Sequence, residues 1–177
     1  MLSVKLPVKI GVKSSRLTKV DMEHKSHRTA ITRKALPAPT RWLMSHIPVL
    51  MGADEKTLIL DYGCGKCGPV NPKTWDNYDP HFRPWSCWHK SRYDVIICNY
   101  VLCTLPEDEH LPVLLDIQKR LKKHGLAYIT VRNDKPRQGW GLSSKGTYQG
   151  KVELPFALLY KNSQFRIYLL TKDTKLV

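Results

Sequence analysis

Two carboxylates bracket a glycine turn in this sequence, and their spacing is the first chemical signal in it. Asp61-Tyr62-Gly63-Cys64-Gly65-Lys66-Cys67-Gly68 follows the apolar run Thr57 to Leu60, and Asp79 lies 18 residues beyond Asp61. Gly63, Gly65 and Gly68 satisfy the G-x-G-x-x-G spacing, a pattern shared with dinucleotide sites. In such a site the turn cradles an anionic pyrophosphate, so an acid two residues before the first glycine adds like charge. A ligand bearing a sulfonium and an ammonium group reverses that balance, because Asp61 then faces opposite charge. S-adenosylmethionine is such a ligand, and Asp79 stands about one strand-helix-strand step away, where a carboxylate accepts ribose hydroxyls. The competing reading of Asp61 is an ordinary turn acid at a strand end.

Cys98-Asn99-Tyr100-Val101-Leu102 closes the next apolar strand. Ligands collect at the carboxyl end of such a strand, which makes Asn99 and Tyr100 the candidates for facing the methyl donor. The plainer alternative is that Tyr100, Val101 and Leu102 pack a helix. Cys98 and Cys103 have no adjacent base and read as core thiols. Cys64 and Cys67 with His81, Cys87 and His89 offer N/S ligands near zinc spacing, but Cys64 already belongs to the glycine turn and there is no second C-x-x-C. No metal site is expected. The segments that hold an exocyclic amine (Asp-Pro-Pro-Tyr) or attack cytosine carbon-5 (Pro-Cys) are absent from the chain.

The elements that must position these residues follow from periodicity. Trp42, Leu43, Ile47 and Leu50 recur at helical spacing between Pro37 and Leu50. A second strand ends at Asn77-Tyr78-Asp79, followed by a loop with Pro80, Pro84, Trp85 and Trp88. Tyr93 to Tyr100 is nearly continuous in apolar residues, as a buried parallel strand should be. His110 to Lys123 places Leu111, Leu114, Leu115, Ile117, Gln118 and Leu121 on a helical face, with Gly125 as the stop. Leu126 to Val131 is the next strand, and Phe156–Tyr160 with Phe165–Leu170 forms a closing hairpin. The order predicts an α/β fold: a Rossmann-like, mostly parallel sheet with helices on both faces and a C-terminal antiparallel hairpin. The short interval from Asp79 to Tyr93, and Pro69 and Pro72 just after the glycines, point to a minimal version with its third strand reduced. Trp85 and Trp88 are candidates to stack on an adenine ring or to cap the core.

One domain is expected from 177 residues, at residues 36–177, behind a basic arm at 1–35. The net charge is +14, and the arm carries nine Lys/Arg against two acids. That potential draws polyanions, so nucleic acid is the expected partner, through Lys5, Lys9, Lys13, Arg16, Lys19, Arg28 and Arg33. Val4 to Val12 alternates apolar residues with lysines, as an edge strand or an extended tail would. No apolar run reaches the roughly 20 residues of a membrane span. Five cysteines, an odd number within apolar or glycine-rich segments, fit a reducing cytoplasm.

Through Leu58-Ile-Leu-Asp-Tyr-Gly-Cys-Gly65, Asp79 and Tyr93 to Leu105, the chain resembles class I S-adenosylmethionine-dependent methyltransferases. It is more closely similar to those associated with DNA phosphorothioation, through His27-Arg-Thr-Ala-Ile-Thr-Arg33, DYGCGK at 61–66, Tyr78-Asp-Pro80, Asn99-Tyr-Val-Leu102 and, loosely, Lys145-Gly-Thr-Tyr-Gln149. The resemblance implies a cofactor pocket of Asp61, Tyr62, Gly63, Cys64, Gly65, Asp79 and Pro80 with Asn99 nearby, in a bacterial or phage-infected cell. His27, Arg28, Arg33, Lys145 and Tyr148 become candidates for holding an acceptor. Two other functions stay open on the same residues: a non-catalytic cofactor- or nucleic-acid-binding module, and a methyltransferase for a small molecule.

Overall fold

The computed structural model describes residues 25–51, 56–67, 72–86, 89–136, 139–142 and 146–176. The alternating segment 4–12, the basic residues Lys5, Lys9, Lys13, Arg16 and Lys19, and Gly68, Cys87, Trp88 and Lys145 lie outside the described residues. Helix α1 (Ala38–His46) begins with Pro39 in its first turn, where a missing N–H costs nothing, and runs on into a 3-10 turn at Pro48–Met51. Strands β1 (Ile59–Tyr62), β2 (Asp76–Tyr78) and β3 (Tyr93–Asn99) precede helix α2 (His110–Arg120) and strand β4 (Leu121–Arg132). A two-residue ladder joins β5 (Gly141–Leu142) to β6 (Tyr148–Gln149), and β7 (Leu158–Lys161) and β8 (Phe165–Thr171) close the chain.

Six strands form one sheet in the order β2-β1-β3-β4-β8-β7. The first four run parallel, and the hairpin of β7 and β8 pairs antiparallel to β4. This is the Rossmann-like α/β sheet in a minimal form: among the described residues no strand flanks β2 on its outer edge. The side-chain alternation of the strands divides the core. Leu60, Ile96, Cys98 and Ile129 pack with Leu114 and Ile117 of α2, whereas Ile59, Val95, Ile97 and Tyr128 pack with Leu43 and Leu50 on the α1 side. Both faces of β3 are therefore buried, which is why its sequence is a continuous apolar run.

Several boundaries differ from the periodicity. β1 continues through Asp61 to Tyr62, because these residues stay in register with Asn77 and Tyr78 of β2. The predicted helix between β1 and β2 is not formed in the described part of that connection, which is turn and irregular chain at 63–67 and 72–75. Leu111 and Leu115 are 41% and 47% exposed, since Leu114 and Ile117, with the partly buried Val113, form the stripe of α2 that faces the core. The helix ends at Arg120, and Lys122, Lys123 and His124 belong to β4.

Gly125 is therefore not a helix stop. It lies where β4 bulges against β3, between the Tyr93↔Leu121 and Val95↔Leu126 pairs. A Cβ there would lie 2.8 Å from the carbonyl oxygen of Tyr93 and 3.0 Å from the Lys122 nitrogen, both backbone atoms. Gly125→Ala should accordingly lower stability by about 1–3 kcal/mol, the cost of overpacking a rigid contact. Urea unfolding of the variant against wild type measures it, and an unchanged midpoint would show that the bulge yields.

Candidate functional site

A cavity of about 620 Å3 opens at the carboxyl ends of β1, β2, β3 and β4. It sits beside the β1/β3 boundary where strand order reverses, the place at which open α/β sheets bind ligands. One wall is the glycine turn. Gly63 (φ +74°) and Gly65 (φ +63°) adopt the left-handed conformation that only glycine takes without penalty. At Gly63 space is closed as well: a Cβ would lie 2.2 Å from Cγ2 of Val101. The turn is thereby drawn against the segment that follows β3.

Four N–H groups of this turn, those of Gly63, Cys64, Gly65 and Cys67, are already committed to the protein. Gly63 and Cys64 both donate to the Tyr78 carbonyl (2.8 and 3.0 Å), and Cys67 donates to the Cys64 carbonyl (3.2 Å). Gly65 donates to Oδ2 of Asp79 at 3.0 Å, while the N–H groups of His81 and Phe82 donate to Oδ1 of Asp79, each at 3.0 Å. One carboxylate thus ties the turn after β1 to the loop after β2. Three of roughly four lone-pair positions of Asp79 are used, which leaves one direction for a ligand hydroxyl rather than two. A turn so sealed is a poor cradle for pyrophosphate, which needs free N–H donors.

Of the residues expected around a cofactor, Tyr62, Gly63, Cys64, Gly65, Asp79, Pro80 and Asn99 line this cavity. Asp61 lines a small adjoining one, of about 30 Å3, together with Arg33 and Pro37. Arg33, Gly63, Cys64 and Asn99 form the partition, since they line both cavities. Burial, then the negative charge of Asp61, pushes the Cys64 thiol well up, so it is not an activated nucleophile. Cys103 is pushed up to about 11 by burial, and burial likewise raises Cys98. Asn99 donates from Nδ2 to Oγ1 of Thr40 on α1 (2.9 Å), and its Oδ1 is buried with no partner among the described residues.

Tyr100 leaves β3 at φ +62°, rare for a non-glycine residue, with its N–H donating to the Thr130 carbonyl at 2.9 Å. Its phenol is raised to about 12, by burial first and Asp134 second, against the lowering pull of Arg132 and Arg33. Near neutral pH it is a hydrogen-bond donor and not a base. Trp85, the candidate adenine platform, is used on both faces: its ring stacks on Tyr78 at 3.9 Å and carries the Arg120 guanidinium at 3.5 Å. The Cys64, Cys67, His81 and His89 zinc alternative finds no support in the side-chain contacts either. Sγ of Cys67 faces Oδ1 of Asn77 and Nε2 of His89 pairs with the Asn77 carbonyl, while His81 stacks on His27.

The remaining walls come from residues that sequence patterns did not single out as one site. His27 and His81 stack at 4.3 Å, and Ser26, Thr29, Ala30 and Arg33 cover the cavity beside them. A 3-10 turn at Ser26–Thr29 shapes this cap, with Oγ1 of Thr29 donating to the Ser26 carbonyl at 2.7 Å. Arg132, Asp134, Gln149 and Gln164 form the far side. The position of Arg132 and Asp134 just beyond an apolar strand was the available signal, because carboxyl ends of strands are where such sheets bind. Gln149 carried only the loose Lys145–Gln149 motif, and Gln164 carried no signal.

Neither a protein-family model nor a curated protein sequence matches this chain. Among solved structures, a TehB-like SAM-dependent methyltransferase from Corynebacterium glutamicum is similar at 18% identity and TM-score 0.40, over 76% of this chain and 96% of that one. TehB from Haemophilus influenzae is similar at 10% identity and TM-score 0.47, over 78% and 63%. The magnesium protoporphyrin IX methyltransferase of Synechocystis, solved with bound SAM, is similar at 14% and TM-score 0.40, over 74% and 78%.

Asp79→Asn should keep the bonds to His81 and Phe82 through its remaining oxygen but present an amide donor to the Gly65 N–H. Stability should fall by about 1–3 kcal/mol, the cost of a buried polar group left without a partner. Thermal and urea unfolding measure it; a variant as stable as wild type would mean that the carboxylate is not the tie between the two loops.

Proposed function

We propose that the chain is an S-adenosylmethionine-dependent methyltransferase and that its acceptor belongs to a nucleic acid. The observation that supports the cofactor most is the glycine turn in which the N–H groups of Gly63, Cys64 and Gly65 are taken up by Tyr78 and Asp79. A site of this kind is closed to a pyrophosphate but open to a ligand that brings hydroxyls and positive charge. The cavity volume of about 620 Å3 also falls within the roughly 300–1,000 Å3 usual for cofactor pockets.

The residues fit that group. Asp79 retains one acceptor direction for a ribose hydroxyl, and Oδ1 of Asn99 is a buried acceptor without a partner, suited to an ammonium N–H. Pro80 and His81 line the cavity beside Asp79. When bound, S-adenosylmethionine supplies an electrophilic methyl group on sulfur. The protein then has to hold the acceptor in line with it and exclude water, and needs no nucleophile of its own. The raised thiols of Cys64 and Cys103 agree with that division of labour.

The narrower kinship with phosphorothioation-associated methyltransferases is part of the same proposal. Supporting it, the His27–Arg33 and Lys145–Gln149 motifs, far apart in sequence, approach each other in space: the Lys25 N–H donates to the Gly146 carbonyl at 3.2 Å, and both segments contribute to the cavity. A nucleic-acid acceptor is favoured by the net charge of +14, half of which lies in the first 35 residues.

Incubation with methyl-labelled cofactor and host DNA, RNA and small-molecule extracts tests the proposal. Label should appear in nucleic acid, and nucleic-acid binding should weaken steeply with salt, with a log–log slope near −0.7 to −0.9 for each phosphate contacted. Removing residues 1–25 should flatten that slope. Label confined to small molecules, or binding indifferent to salt, would contradict a nucleic-acid acceptor; cofactor and polyanion binding with no transfer would make the chain a binding module instead.

A further inference from the structure

Gln149 is 7% exposed and lines the cavity, yet its carboxamide makes no hydrogen bond to any described residue. The residue is buried, but its carboxamide is open to the cavity it lines, where a ligand can reach it. The backbone around it is fixed from three directions. Gln149 pairs with Gly141 across the β5–β6 ladder, the Gly150 N–H donates to the Cys103 carbonyl at 2.7 Å, and the Lys25 N–H reaches Gly146. Tyr148 packs over Gly150, where a Cβ would lie only 2.8 Å from its Cε1. Strand alternation then sends the Gln149 side chain the other way, into the cavity.

Its neighbours mark this as the end of the cavity opposite Asp79. Cys103 sits between Gly150 and Arg132, whose N–H donates to its Sγ at 3.1 Å, so Gln149 and the end of β4 share one corner. Asp79 follows β2, at the other edge of the parallel strands. Arg132 is held flat by a forked pair with Asp134, Nε to Oδ1 at 3.2 Å and Nη2 to Oδ2 at 2.6 Å. The phenol of Tyr100 lies within the field of both.

We infer that Gln149 recognises the methyl acceptor and that the group it recognises is a nucleobase, adenine in the first place, turned out of its stack into the cavity; this rests on the function proposed above. A carboxamide presents an acceptor and a donor side by side in one plane, the complement of the adjacent amino donor and ring-nitrogen acceptor of adenine. A base inside a duplex cannot reach a pocket at the ends of strands, so it must enter singly. Lys25, Arg28 and Arg33 on the cap beside the mouth supply positive charge for the flanking phosphates.

Two readouts on the full chain test this. In fluorescence anisotropy without cofactor, single-stranded oligo(dA) should bind about 10-fold or more tightly than oligo(dC), oligo(dG) and oligo(dT), and Gln149→Leu should abolish that preference while retaining the salt-dependent part of binding. With labelled S-adenosylmethionine, Gln149→Leu and Gln149→Ala should each slow transfer to the preferred strand by about 10-fold or more, with cofactor affinity within about 2-fold of wild type. Equal binding of the four strands by wild type, a preference that survives in both variants, or label on protein in place of nucleic acid would overturn the inference. Failure of wild type to bind S-adenosylmethionine would instead defeat the methyltransferase proposal, and the anisotropy comparison would still decide the role of Gln149.

Discussion

The site depends on one carboxylate that receives three backbone N–H groups. Asp79 holds Gly65 through one oxygen and His81 and Phe82 through the other. Because β1 and β2 are joined by turns in the described part of their connection, with no helix there to brace them, little else fixes the glycine turn relative to the loop after β2. The Tyr78 carbonyl, accepting from Gly63 and Cys64, is the second tie, and it lies one residue before Asp79. Charged hydrogen bonds of this kind are stronger than neutral ones, so the arrangement also makes Asp79 a rigid fixture of the wall.

That rigidity sets the chemistry the wall can offer. With the N–H groups of Gly63, Cys64 and Gly65 bound internally, the turn presents to a ligand the oxygen of Asp79 and the edge of a backbone held at positive φ. The second acid, Asp61, stands behind the partition formed by Arg33, Gly63, Cys64 and Asn99, where it adds to the effect of burial in raising the Cys64 and Cys98 thiols rather than lining the main cavity. Arg33 of the cap lines the small cavity with Asp61, and Arg132 at the far side is paired with Asp134.

Much of this was legible in the sequence, for local reasons. The glycine turn, Asp79 and β3 were readable because each is a short segment whose conformation is dictated by its own residues: glycines at positive φ, an acid after a strand, an unbroken apolar run. Gly125 was misread as a helix stop because its role arises from pairing between β4 and β3. Trp85 could not be judged from its position, since Arg120 on α2 and Tyr78 on β2 decide that neither of its faces is free. Gln149 stood in the loosely matching motif Lys145–Gln149, but its burial was not legible there: it depends on the β5–β6 ladder and on Cys103, which are brought together only by the tertiary fold.

The central claim is that the cavity selects a positively charged sulfur donor over a pyrophosphate. Titration calorimetry of the full chain with S-adenosylmethionine and, separately, with NAD tests it most directly. Saturable heat with S-adenosylmethionine at one site per chain, and none with NAD at the same concentrations, is the predicted result. Uptake of NAD with no response to S-adenosylmethionine would contradict it.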